Sequence, residues 1–189
     1  MADHAPVVIR PLEAADLEAA VSLFAAVAAE GRYVGGEAPV DRDARRQRLV
    51  VALDSKGDTS FVAEADGELV GHVQVVLRNG LADLGILVAS GWRGRGIGSQ
   101  LMARSLAWCK DNNAHKVTLS VWPHNTAAIA MYEKFGFVEE GRCGATTGDV
   151  TASSGTPSRW VSSSTRSRPA RPGDAPKPLA LSKPPAARH

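Results

Sequence analysis

The residues best suited to chemistry lie in one stretch, Leu84 to Ser99, which reads LGILVASGWRGRGIGS. An apolar run (Ile86, Leu87, Val88) stops at a polar turn. Three glycines follow at alternate positions, Gly94, Gly96 and Gly98, with Arg93 and Arg95 among them and Ile97 and Ser99 opening a helical pattern. A strand, a glycine-rich turn and a helix N-terminus together form an anion site: backbone N–H groups point into the turn and the helix dipole adds partial positive charge. Glycine lets the backbone approach a phosphate closely and take positive φ. Two nucleotide signatures fail on spacing. A phosphate-binding P-loop requires Lys-Ser or Lys-Thr after the last glycine, where Ser99-Gln100 stand, and the dinucleotide G-x-G-x-x-G ends on Ser99 or Leu101 instead of glycine. What remains is Arg93-x-x-Gly96-x-Gly98.

That pattern resembles the pyrophosphate signature of the GCN5-related N-acetyltransferase (GNAT) family, Gln/Arg-x-x-Gly-x-Gly/Ala. A second block, Asn125 to Phe137, is similar to the family's N-x-x-A-x-x-x-Y-x-x-x-G-F segment through Asn125, Ala128, Tyr132, Gly136 and Phe137. The two blocks stand in the family order and the resemblance spans roughly residues 7 to 142. It implies direct acetyl transfer from acetyl-CoA to an amine, with no metal. Backbone groups of Ile86, Leu87 and Val88 would pair with the pantetheine arm, and an N–H there would polarise the thioester carbonyl. N–H groups from Gly94 to Ser99 (Gly94, Arg95, Gly96, Ile97, Gly98, Ser99) would hold the pyrophosphate, with charge from Arg93 and Arg95. Asn125 would bond the cofactor arm. Tyr132, two helical turns further on, would protonate the departing thiolate; a phenol of pKa ~10 suits a thiolate of pKa ~8.5 formed transiently.

The base carries over less directly. Several family members place a Glu on the strand before the Asn, where this chain has Ser120. Asp83 is the preferred replacement, with Glu30 and His72 behind it. Each has a plainer alternative: Asp83 as a solvated edge carboxylate, His72 as a satisfied sheet histidine, Tyr132 as a packed aromatic, Trp92 and Trp122 as covers over turns. Arg32 and Tyr33 lie in the loop where the family receives its acceptor, and Arg32 hints at an acceptor carboxylate. The partner expected is a small-molecule or peptide amine, without nucleic acid or membrane; a homodimer is allowed. The sequence does not choose among an amino acid, an aminoglycoside-like drug, a polyamine and a protein N-terminus.

These residues need a scaffold, and the patterning predicts one. Val7–Arg10 reads as a strand. Ala14–Ala29 and Asp41–Leu53 read as helices, the second capped by Asp41. Phe61–Ala65 and Leu69–Leu77 read as strands about the Asp66-Gly67 turn, and Leu81–Val88 as a third after Asn79-Gly80. Then come a helix (97–112), a strand (116–121), a helix (125–135) and a strand (138–141). The order is βααβββαβαβ, a mixed α/β (α+β) domain with a mostly antiparallel GNAT-like sheet, not a doubly wound repeat.

The bulk properties agree. At 189 residues with net charge +2, the chain can bury a core and makes no global electrostatic case for nucleic acid. Cys109 and Cys143 give no zinc spacing or disulfide framework. No run reaches membrane-spanning length, and the N-terminus lacks an apolar signal region, so a cytoplasmic setting is expected. Character changes near Arg142, so the domain is placed at 1–142 and a tail at 143–189. Seven of the eleven prolines fall from Pro157 to Pro185, beside Ser-rich tracts and seven basic residues, and this tail is expected to be disordered. It also lacks the strand pair that ends family sheets. With GC-rich codons chosen for Cys143 onward, the frame starting at the third base gives a basic strand, an Asp-Gly turn and an apolar strand. On that reading the tail is a frameshift product and the chain a weakened or inactive acetyl-CoA-binding relative. A third reading, a binding module acting through the basic tail, is disfavoured by the near-neutral charge.

Overall fold

The computed structural model describes residues 6–34, 39–142 and 158–162. Its elements are β1 (Val8–Pro11), α1 (Leu17–Ala29), α2 (Arg42–Asp54), β2 (Asp58–Ala65), β3 (Glu68–Arg78), β4 (Leu81–Val88), α3 (Ile97–Asp111), β5 (Lys116–Val121), α4 (Thr126–Lys134), β6 (Phe137–Arg142) and β7 (Ser158–Ser162). They form one seven-stranded sheet in the order β1-β2-β3-β4-β5-β7-β6. Every neighbouring pair is antiparallel except β4 with β5.

Alternation in the strands assigns the helices to opposite faces. Phe61 and Ala63 join Val73, Val75, Leu101 and Met102 in the larger core, whereas Val62 joins Leu17, Ala20, Val21 and Leu49. Thus α3 covers one face and α1 with α2 the other. Gly71 lets α3 settle onto β3: a Cβ there would lie 3.0 Å from Leu101 Cδ1 and 3.2 Å from Ile97 Cγ2. The N-cap expected at Asp41 is present, and Asn125 caps α4. Asp41 accepts from the Ala44 N–H at 2.9 Å, and Asn125 from the Ala128 N–H at 3.3 Å.

The tail departs from expectation. β7 inserts between β5 and β6, with Val117–Val121 paired to one side and Phe137–Arg142 to the other. The domain boundary at Arg142 is therefore corrected: the sheet continues to Ser162. Arg159-Trp160-Val161 favours extended structure, and Trp160 contributes a side chain only 7% exposed to the larger core. Flanking serines and Pro157 mask that signal in the sequence. The alternative of an unfinished sheet loses its premise here; the rest of the expected disordered tail, 143–157 and 163–189, lies outside the described residues. No described helix is long and apolar enough to cross a membrane.

At the sheet's first edge, Arg10 forks onto Asp16 at 2.6 and 2.8 Å and reaches Glu64 at 2.7 Å, tying β1 to β2 and to the turn before α1. Asp16 also accepts from the Glu13 N–H at 2.8 Å. The Arg10 hydrogen bonds hold the Asp16 carboxyl below its ordinary pKa. A carboxylate lowered in the folded state stabilises fully above its unfolded pKa, ~3.9, and the contribution fades as pH falls through the folded value. Asp16→Asn is therefore expected to lower the urea midpoint at pH 7 and to flatten its decline below pH about 5, where wild type falls more steeply.

Candidate functional site

β4 and β5 part company. β4 pairs with β3 at every residue from Leu81 to Val88, but with β5 only from Leu81 to Asp83. β5 pairs along its other edge with β7 from Val117 to Val121, and beyond Asp83 no strand among the described residues pairs with that side of β4. The Ala89 N–H donates to the Val70 carbonyl at 2.9 Å, which sets the phase of the antiparallel ladder. By its alternation, Leu87 and Gly85 bond to β3, while Leu84, Ile86 and Val88 turn their N–H and C=O groups to the open side. Of the expected trio, Ile86 turns both backbone groups to that side and Val88 its N–H, the Val88 carbonyl accepting from Arg93 Nε, while the Leu87 backbone is bonded to β3.

A cavity of about 370 Å³ fills the opening, lined by Ile86, Leu87 and Val88 and by residues of the glycine turn and α4. At one end stands the N-terminus of α3. Gly94 and Gly96 have φ of +75° and +79°, left-handed values that favour glycine, and Gly96 is the N-cap. The first helical bond of α3 runs from the Gln100 N–H to the Gly96 carbonyl, so the N–H groups of Ile97, Gly98 and Ser99 precede the intrahelical ladder. All three residues line the cavity.

α4 and its N-cap supply Tyr132 and Asn125, seven residues apart, and both line the cavity. Tyr132 is 4% exposed and its ring lies 5.9 Å from that of Phe137. Burial pushes its phenol well above the ordinary value, so it stays protonated across the neutral range. Asn125 spends its Oδ1 on the helix cap and keeps its amide N–H₂ for other partners.

The expected charges behave differently. The Arg93 guanidinium is not free for phosphate. Its Nε donates to the Val88 carbonyl at 2.9 Å and its two terminal nitrogens to Glu30 at 2.7 Å each, and it lies 4.6 Å over the Tyr33 ring. Glu30 is thus the ion-pair partner of Arg93. Arg95 rests 4.8 Å over Trp92 and does not line the cavity. His72 is 1% exposed with its pKa pushed down by burial to about 3, and its Nε2 has no partner among the described residues. It does not line the cavity, and with Nε2 unpartnered among the described residues it is not a satisfied sheet histidine. Asp83 is exposed, accepts from the Thr118 hydroxyl at 2.8 Å and lies outside the cavity lining. It shares a β4 face with Leu87, separated only by Gly85, where a Cβ would meet nothing within 4 Å. Tyr33 and Val34 line the cavity, whereas Arg32 does not. Sequence reasoning passed over Lys134, which lines the cavity from the last turn of α4, and His124, whose Nε2 lies 2.5 Å from the Arg32 carbonyl. No spacing rule marks either. Among the described residues no group of three His, Cys, Asp or Glu side chains is placed to hold a metal.

The family model "Acetyltransferase (GNAT) family" matches residues 21–137. The L-amino acid N-acetyltransferase AaaT of Escherichia coli (strain K12) is 38% identical over 95 residues, covering 47% of this chain and 58% of that protein. The chain thus spans little more than half the length of the curated relatives it matches. Two solved structures share the fold: the ribosomal-protein-alanine N-acetyltransferase of Brucella melitensis (26% identity, TM-score 0.72, 82% of this chain and 98% of that one) and the Vibrio cholerae spermidine N-acetyltransferase in complex with CoA and spermine (25%, TM-score 0.68, 82% and 94%).

Because Asn125 caps α4 through its side-chain oxygen, its variants are expected to divide. Asn125→Asp keeps the capping oxygen and should leave thermal stability near wild type. Asn125→Ala should lose about 1 kcal/mol in a denaturant titration.

Proposed function

The chain belongs to the GNAT acetyltransferase family, and from that premise we propose that it moves an acetyl group from acetyl-CoA to a primary amine of a small molecule or peptide by direct transfer. The observation that carries this reading is that the stretch of β4 beyond its pairing with β5, the N-terminus of α3 and Tyr132 all line one cavity. Bound acetyl-CoA supplies an acyl group activated as a thioester.

The chain's own residues divide the remaining work. Ile86 and Val88 offer strand-type hydrogen bonds to the amides of the pantetheine arm, as an added strand pairs with a sheet edge. An N–H of this edge polarises the thioester carbonyl. The N–H groups of Ile97, Gly98 and Ser99 receive the pyrophosphate, and the Asn125 amide bonds the arm between them. The amine nitrogen forms a bond to the acyl carbon and the carbon–sulfur bond breaks. Tyr132 gives its proton to the departing thiolate. Asp83, on the Leu87 face of β4, takes the amine's proton through water. The relatives act on different amines by name, an L-amino acid, a ribosomal-protein alanine and spermidine, so the shared element is the primary amine.

A thermal-denaturation titration with acetyl-CoA, followed by thiol release on a broad amine panel, tests the reading. Acetyl-CoA at 100 times its Kd should add ~2.7 kcal/mol of stability. Stabilisation without turnover of any amine would identify a binding protein instead of an enzyme. Tyr132→Phe is expected to lower kcat by about 10²-fold while leaving the Kd of acetyl-CoA within about twofold. Asp83→Asn should lower kcat by a similar factor, about 10²-fold; undiminished turnover in either variant would remove that residue from the mechanism.

A further inference from the structure

Five side chains from three separate parts of the chain meet beside the cavity. Glu30 caps the C-terminal end of α1, Tyr33 follows three residues later, Arg93 comes from the glycine turn, and Trp122 and His124 come from the loop between β5 and α4. Arg93 bonds Glu30 through both terminal nitrogens at 2.7 Å and carries Tyr33 against its guanidinium face at 4.6 Å. Tyr33 in turn faces His124, with ring centroids 6.2 Å apart, and His124 stacks on Trp122 at 6.3 Å and 17°. A carbonyl can only accept, so His124 Nε2 carries the hydrogen in its 2.5 Å bond to the Arg32 carbonyl.

We propose that Glu30 and His124 are positioning residues for the acceptor: with Arg93 they clamp residues 30–33 onto the cofactor strand and hold Tyr33 in the cavity wall where the acceptor enters. This rests on the reading of Tyr33 as acceptor-facing in an acetyl-CoA-dependent transferase. The Gly31 N–H closes the end of α1 on the Ala28 carbonyl, and beyond it Arg32 and Tyr33 are held, among the described residues, by the contacts of the clamp. The other end of the clamp is the Arg93 Nε bond to the Val88 carbonyl. One guanidinium therefore joins the strand that would read the donor to the segment that would meet the acceptor. An isolated exposed ion pair contributes little, but this one is two-pronged, partly buried and locked by stacking.

The test uses Glu30→Ala, the isosteric Glu30→Gln and His124→Ala in the full chain. Amide hydrogen exchange of residues 31–34, acetyl-CoA Kd by calorimetry, and acceptor KM and kcat are measured for each. Expected is about tenfold faster exchange at 31–34 and about tenfold higher acceptor KM in Glu30→Ala and His124→Ala, a smaller rise of both in Glu30→Gln, and acetyl-CoA Kd and kcat within about twofold. Unchanged exchange, or an acetyl-CoA Kd that rises as much as acceptor KM, overturns the proposal. If wild type turns over no amine, the proposed function fails and the exchange measurement still decides the clamp.

Discussion

A β-strand that loses its neighbour halfway along must find other partners for its backbone, because an unpaired N–H or C=O held away from water is costly. β4 is in that position. It is fully paired on the β3 side, and on the β5 side only as far as Asp83. The rest of the site follows from that divergence. α3 starts where β4 ends, α4 starts where β5 ends, and the wedge between the strands becomes the cavity these helices line. The extended, amide-bearing ligand proposed for it is one a sheet edge already knows how to bind.

Much of this was legible in the chain. Apolar alternation at Leu81–Val88, the glycine spacing after Arg93 and the Asn125–Phe137 block are local patterns, and local patterns survive into structure because strand, turn and helix periods are set within a few residues. The element order came through intact up to β6 for the same reason. What was not legible depends on residues far apart in sequence. Arg93 looks like a phosphate ligand by its place in a glycine turn, yet Glu30, sixty-three positions away, takes its guanidinium. His72 reads as ordinary strand alternation, and only the packing of α1 and α2 over it explains its neutrality. β7 was missed because five residues of weak pattern among serines become a strand only when two unpaired edges are waiting for them.

The arrangement also divides labour within a short motif. Its glycines bring backbone N–H groups to a cavity at the start of α3, while its arginine turns the other way and braces the end of α1. A motif recognised for ligand binding here carries a structural residue at its head.

The strand order bears on how the molecule is made. β5, the far wall of the wedge, is backed by β7, whose residues follow it by some forty positions, and β6 reaches the sheet only through β7. During synthesis the glycine turn and α3 leave the ribosome long before that support exists. Non-local pairings of this kind are slow to form because chain closure must precede the contacts that reward it. The half of the sheet from β1 to β4 can thus take shape before β7 is made, and the far wall of the wedge gains its backing only as that last strand docks.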